Sequence, residues 1–136
     1  MVNPALGKDL ERVDLKAYQW KNRVLILFAP CEDDPVYQSF KEQLERRKQE
    51  VQERDLLIFH VPETGEGRVA HLPLNREQVL FLRKTFSIKP GQLIVILIGK
   101  DGEVKIRKEI PGELSEILLL IDAMPMRQQE MRERVK

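Results

Sequence analysis

The side chains that could do chemistry in this chain gather in one run, Cys31-Glu32-Asp33-Asp34. Cys31 is the only cysteine among 136 residues, so neither an internal disulfide nor an all-cysteine metal site can form. Disulfide exchange by a dithiol needs a second thiol to release the mixed disulfide. A lone thiol leaves three chemistries open, those of a one-cysteine oxidoreductase, a peroxidase and a redox sensor. Here two electrostatic effects compete. A helix N-terminus favours thiolate, whereas Glu32, Asp33 and Asp34 set negative charge beside it, and the expected result is an ordinary thiol. The same carboxylates could offer oxygen ligands to a bound partner or cation. Adjacent residues point in different directions, however, and lack the spaced ligands of a calcium loop, so helix capping is the expected work of at least one of them. His60 and His71 read as satisfied or exposed histidines, because zinc would need further ligands converging from elsewhere. No metal or cofactor is assigned.

The elements around this run are legible from patterning. Val24 to Phe28 is a short apolar run rich in β-branched and aromatic residues, as in a strand covered on both faces, with Ala29 and Pro30 ending it. Asp34-Pro35 then reads as a helix N-cap followed by proline at the first helical position, which puts Cys31 on a strand-to-helix loop. Tyr37, Phe40, Leu44 and Val51 fall near one stripe of a helix from Pro35 to about Arg54, whose remaining face is solvated by charges of alternating sign. Leu56 to Val61 is a second strand, closed by Pro62, and Glu63 to Arg68 is a flexible loop. That loop lacks the glycine spacing that cradles phosphate. Asn75 and Gln78 form a capping box, with Leu74 and Val79 as its hydrophobic staple, for a helix to about Phe86. Leu93 to Ile98 is a central strand, Gly99 to Gly102 a hairpin turn, and Val104 to Ile110 an edge strand. A last core helix runs from about Glu113 to Met124 and stops at Pro125. Trp20 is expected to cover the bottom of the sheet.

Composition restricts the function classes. The chain is 42% apolar and 33% charged, as in a soluble globular domain, with 23 Lys and Arg against 22 Asp and Glu. This balance creates no strong overall field, so neither nucleic acid nor a membrane is an expected partner. No apolar run reaches membrane-spanning length and the first residues lack the apolar core of a signal peptide. A cytoplasmic location is expected, or a periplasmic or secreted one if a signal peptide has been removed. The domain reading is an N-terminal lead-in over 1–20, one domain over 21–125, and a charged C-terminal tail over 126–136, either an exposed helix or a docking helix for a partner.

The order β-α-β, helix, β-hairpin, helix predicts an α/β thioredoxin-like fold, a four-stranded mixed sheet with helices on both faces. Within it, WKNRVLILFAP, LIVILIGKDGEVK and ELSEILLLIDAMPMRQQEMR resemble, in that order, the bacterial thioredoxin-like family of unknown function. Its DUDES-type domains also occur in sushi-repeat-containing extracellular proteins and in a coiled-coil-domain protein. The resemblance covers about residues 20–132. It implies the fold and raises redox activity, or contacts with matrix and receptors, as expectations.

The residues do not carry the redox machinery of that fold. Laying Phe28-Ala29 on the pair that precedes a CxxC motif puts its cysteines at Glu32 and Pro35. The matching cis-proline positions are about Gln92 and Leu93, with Pro90 too early, and no threonine precedes Cys31 as in a peroxiredoxin. The expectation is therefore a non-catalytic module that binds a protein or small ligand. The alternative is one-cysteine chemistry with Cys31 as the catalytic residue; Glu32, Asp33 and Asp34 are candidate binding residues if they are not occupied in capping.

Overall fold

Five apolar residues in a row suit a strand covered on both faces, and Val24 to Phe28 lie in the middle of the sheet. In the computed structural model, which describes residues 13–109 and 112–135, β1 (Arg23–Cys31) is flanked on both sides. It pairs in parallel with β2 (Leu56–Thr64) and antiparallel with β5 (Ile94–Ile98). The intervening elements are α1 (Pro35–Arg46), α2 (Lys48–Glu53), β3 (Gly67–Val69), β4 (Leu72–Leu74) and α3 (Arg76–Thr85). Then follow β6 (Val104–Glu109), α4 (Leu114–Asp122) and α5 (Pro125–Val135), the sheet order being β4-β3-β2-β1-β5-β6. The α/β architecture and mixed sheet stand as expected, with six strands rather than four.

The two added strands begin at the end of the flexible loop expected over Glu63 to Arg68 and continue beyond it, in residues for which no element was expected. β3 and β4 are three residues each and extend the sheet past β2 through Phe59↔Val69 and His60↔Arg68. Their connection, Ala70-His71, places Ala70 at φ 52, a left-handed conformation that ordinarily calls for glycine or asparagine. β1 and β2 also run further than expected. Pro30 does not end β1, and Cys31 is its last residue, opposite Thr64, rather than part of the loop. Pro62 does not close β2, because it sits where β2 has already outrun its antiparallel partner β3.

Alternation along the strands sends side chains to two cores. Val24, Ile26, Phe28, Phe59 and Val61 meet Val79 and Leu82 of α3. Leu25, Leu27, Ala29, Val95 and Leu97 meet Tyr37 and Phe40 of α1 and Leu114, Leu118 and Ile121 of α4. Asp34 caps α1 by accepting from the Val36 and Tyr37 amides, both at 3.0 Å. The capping box of α3 is present as well. The single helix expected from Pro35 to Arg54 is broken at Arg47, so α1 and α2 are separate segments. Trp20 does not cover the sheet; it is 63% exposed, and its backbone N–H donates to the Lys100 carbonyl.

The segment read as a charged tail is α5, and Pro125 starts it rather than only stopping α4. A proline at the first position of a helix loses no hydrogen bond, so one residue serves both purposes. Arg127 is buried, and Glu130 reaches across to Arg23 at 3.1 Å and Lys100 at 2.8 Å. Asp122 joins Arg54 at 2.8 Å and Arg127 at 3.1 Å. These pairs pin α5 against the N-terminal end of β1, opposite the end that carries Cys31. Residues 1–12 of the expected lead-in lie outside the described residues; within 13–20 a 3-10 turn spans Leu15–Tyr18.

Candidate functional site

At the C-terminal end of β1 the acidic run divides its work instead of converging. Asp34 holds the α1 cap. Glu32 turns towards the β2–β3 connection and accepts from the Glu66 N–H, packed so closely that its side chain occupies the space of a Cβ on Gly65. Asp33 is exposed. Cys31 is half-buried and free. The first-turn amides that would favour a thiolate are those already bound by the Asp34 carboxylate. Among the described residues, no group of three or more His, Cys, Asp or Glu could hold a metal ion.

A different set of residues forms two adjoining concavities. α1 and α2 stand as one wall above the exposed end of the sheet, and β2, β3 and the Ala70-His71 turn form the floor. One cavity of about 390 Å³ is lined by Glu32, Asp33, Tyr37, Lys41, Arg68 and His71, among others. A groove of about 740 Å³ shares Lys41, Arg68 and His71 and continues over Leu44, Val51, Leu56 and Ile58. Of the residues singled out from sequence, Glu32, Asp33 and His71 border this space and His60 lies in its floor, whereas Cys31 is not among its lining.

The floor contains a buried polar pair. The Tyr37 hydroxyl and His60 Nδ1 share a hydrogen bond of 2.7 Å, and their rings meet edge to face. His60 lies inside β2 and is buried. Burial, with the positive charges of Arg68 and Lys41 adding to it, pushes its pKa down to about 3, so the imidazole is neutral at physiological pH. Burial also raises the pKa of Tyr37, a shift that Arg68 opposes. A neutral phenol–imidazole pair beneath two cations is thus fixed in place.

The cations facing it differ from the other buried or half-buried ones. Arg23, Arg54, Lys100 and Arg127 all have carboxylate partners, whereas no ion pair among the described residues involves Lys41 or Arg68. The pleat brings Arg68 here, since it stands opposite His60 in the ladder and opposite Pro73 on its other side. Sequence reading missed this set because β3 was not recognised; without that strand, Arg68 is merely a loop cation. Tyr37 and Lys41 lie four apart on one helix, and that spacing was the only available sign that they share a face.

A family profile described as a domain of unknown function (DUF4174) matches residues 14–130. Coiled-coil domain-containing protein 80 of Danio rerio is 26% identical over 133 residues, which is 86% of this chain but only 15% of that protein's length. Among solved structures, the reduced 2-Cys peroxiredoxin of Plasmodium vivax is similar at TM-score 0.64 and 19% identity, with 86% of this chain and 85% of that chain covered. The reduced N-terminal domain of PilB from N. meningitidis is similar at TM-score 0.54 and 20% identity, with 86% and 91% covered. At these identities the likeness is one of fold.

Proposed function

The chain belongs to the DUF4174 family, a domain of unknown function, and on that footing we propose that it is a non-catalytic thioredoxin-like binding module whose ligand lies in the groove between α1–α2 and β2–β3. The observation that carries this reading is the groove itself. Its roughly 740 Å³ falls within the range of small-molecule sites, and its walls come from four different elements. Apolar side chains supply contact area while polar groups supply orientation. The three segments that resemble DUDES-type domains support the same role, and the balanced charge argues against nucleic acid or a membrane as the partner.

The test is a ligand-observed NMR screen of small fragments against three proteins. Gln52 is an exposed groove-lining residue of α2, so Gln52→Trp fills the groove without disturbing the core. Fragments are expected to bind the wild type and Cys31→Ser alike and to be displaced in Gln52→Trp. Equal binding to Gln52→Trp, or binding that requires Cys31, overturns the reading.

A second reading rests on Cys31, whose half-buried thiol stands where β1 meets α1 in a fold shared with a peroxiredoxin. Its chemistry would be reduction of a peroxide to an alcohol or water as the thiolate becomes a sulfenic acid, with an external thiol restoring it. Peroxide consumption abolished by Cys31→Ser would establish this reading over the first. Consumption equal to the uncatalysed rate would remove it.

A further inference from the structure

We propose that Lys41 and Arg68 form the seat for the oxyanionic head of a small organic acid, with the Tyr37 hydroxyl as its neutral donor. This rests on the groove reading above and names the class of ligand. The first observation is the pairing pattern. Around α5 each inward-facing cation has its carboxylate, yet Lys41 and Arg68, both half-buried and both lining the 390 Å³ cavity, have none. Partly desolvated positive charges without a counter-charge are costly, and an anion in the cavity offsets that cost.

The acids at the mouth do not fill the role. Glu32 is committed to the Glu66 N–H and wedged against Gly65, and Glu66 and Asp33 are exposed. The second observation is the floor. His60 is neutral, so when its Nδ1–H donates to the Tyr37 oxygen, the phenolic proton is left to point elsewhere. An arginine fork, an ammonium and a phenol OH are a donor set that matches a carboxylate or a phosphoryl group. The third observation is what lies beyond the seat. The same cations open onto Leu44, Val51, Leu56 and Ile58, so the acid carries an apolar body.

The experiment is a two-dimensional 15N NMR titration at constant ionic strength with benzoate, inorganic phosphate and benzyl alcohol as probes. Benzoate carries both head and body, phosphate the head alone, and benzyl alcohol the body alone. Benzoate is expected to give saturable shifts at Lys41, Arg68 and His71. Its affinity is expected to fall roughly tenfold or more in Arg68→Gln and in Lys41→Gln, both surface changes outside the core. Phosphate shifts at the same residues would assign the seat to phosphoryl as well as carboxylate groups; their absence, with benzoate bound, would assign it to carboxylates. If benzyl alcohol and benzoate shift Leu44 and Val51 equally in wild type and Arg68→Gln, the oxyanion seat is overturned while the groove reading stands. Shifts confined to cations outside the cavity, or no saturable shift by any probe, overturn the seat; the latter, together with a negative fragment screen, removes the groove reading too.

Discussion

At the scale of single residues, the position that decides most is Tyr37. Its backbone N–H is held by the α1 cap, its ring lies in the core, and its hydroxyl is the partner of His60. Tyr37→Phe removes one atom but leaves a buried imidazole nitrogen without a partner. The expected cost is about 1–3 kcal/mol of stability, read as a lowered urea midpoint at unchanged slope. Asp34→Ala, which frees the two cap amides, is expected to cost about 1 kcal/mol in the same measurement with the fold retained. Of these two residues only the cap was legible from sequence, because Asp-Pro before a helical stripe is a local pattern. The phenol–imidazole pair joins residues 23 positions apart, and nothing in the chain between them marks the contact.

At the scale of elements, the parts that could be read were those whose periodicity is long and clean. β1, β5, α3 and α4 each carry an uninterrupted apolar pattern, and each lies within a few residues of its expected place. β3 and β4 escaped because three residues are too few to show alternation and their turn, Ala70-His71, uses none of the residues that accept positive φ cheaply. The candidate site was lost with them. For α5 a helix was among the readings and only its docking on this chain's own core escaped, since its inward residues are charged. Arg127 and Glu130 are buried or nearly so, where an apolar stripe would ordinarily announce a docked helix. Its attachment is therefore electrostatic. Glu130→Ala leaves Arg23, 1% exposed, without its carboxylate and is expected to destabilise the protein by about 3 kcal/mol, checked by thermal unfolding. A matching loss on truncation before Pro125 would place the whole contribution of α5 in those pairs.

At the scale of the whole molecule, its charges make stability depend on pH with a definite sign. His60 has a folded pKa of about 3, below its ordinary 6.5, so between these values the unfolded chain binds a proton that the folded one does not. Stability from this group falls by about 1.4 kcal/mol per pH unit as the solution is acidified through that window. Asp122 and Glu130 are held below the usual carboxylate range by their Arg and Lys partners, despite the opposing effect of burial, so their contributions are present above the unfolded value and are lost as pH falls through the folded one. Acid unfolding is thus expected in two stages, a gradual decline below about pH 6.5 and a steeper one below about pH 4. His60→Gln is expected to flatten the first stage and leave the second, as followed by circular dichroism.

The pairing of Arg23 with Glu130 also has a consequence in time. The two are 107 residues apart, and a ribosome adding roughly 5–20 residues per second needs about 5–20 s to bridge them. During that interval β1 can meet β2, and later β5, while the guanidinium at its base waits for a counter-ion not yet made. The nascent domain therefore spends seconds with a guanidinium at the foot of its central strand that lacks its carboxylate, until α5 arrives to supply it.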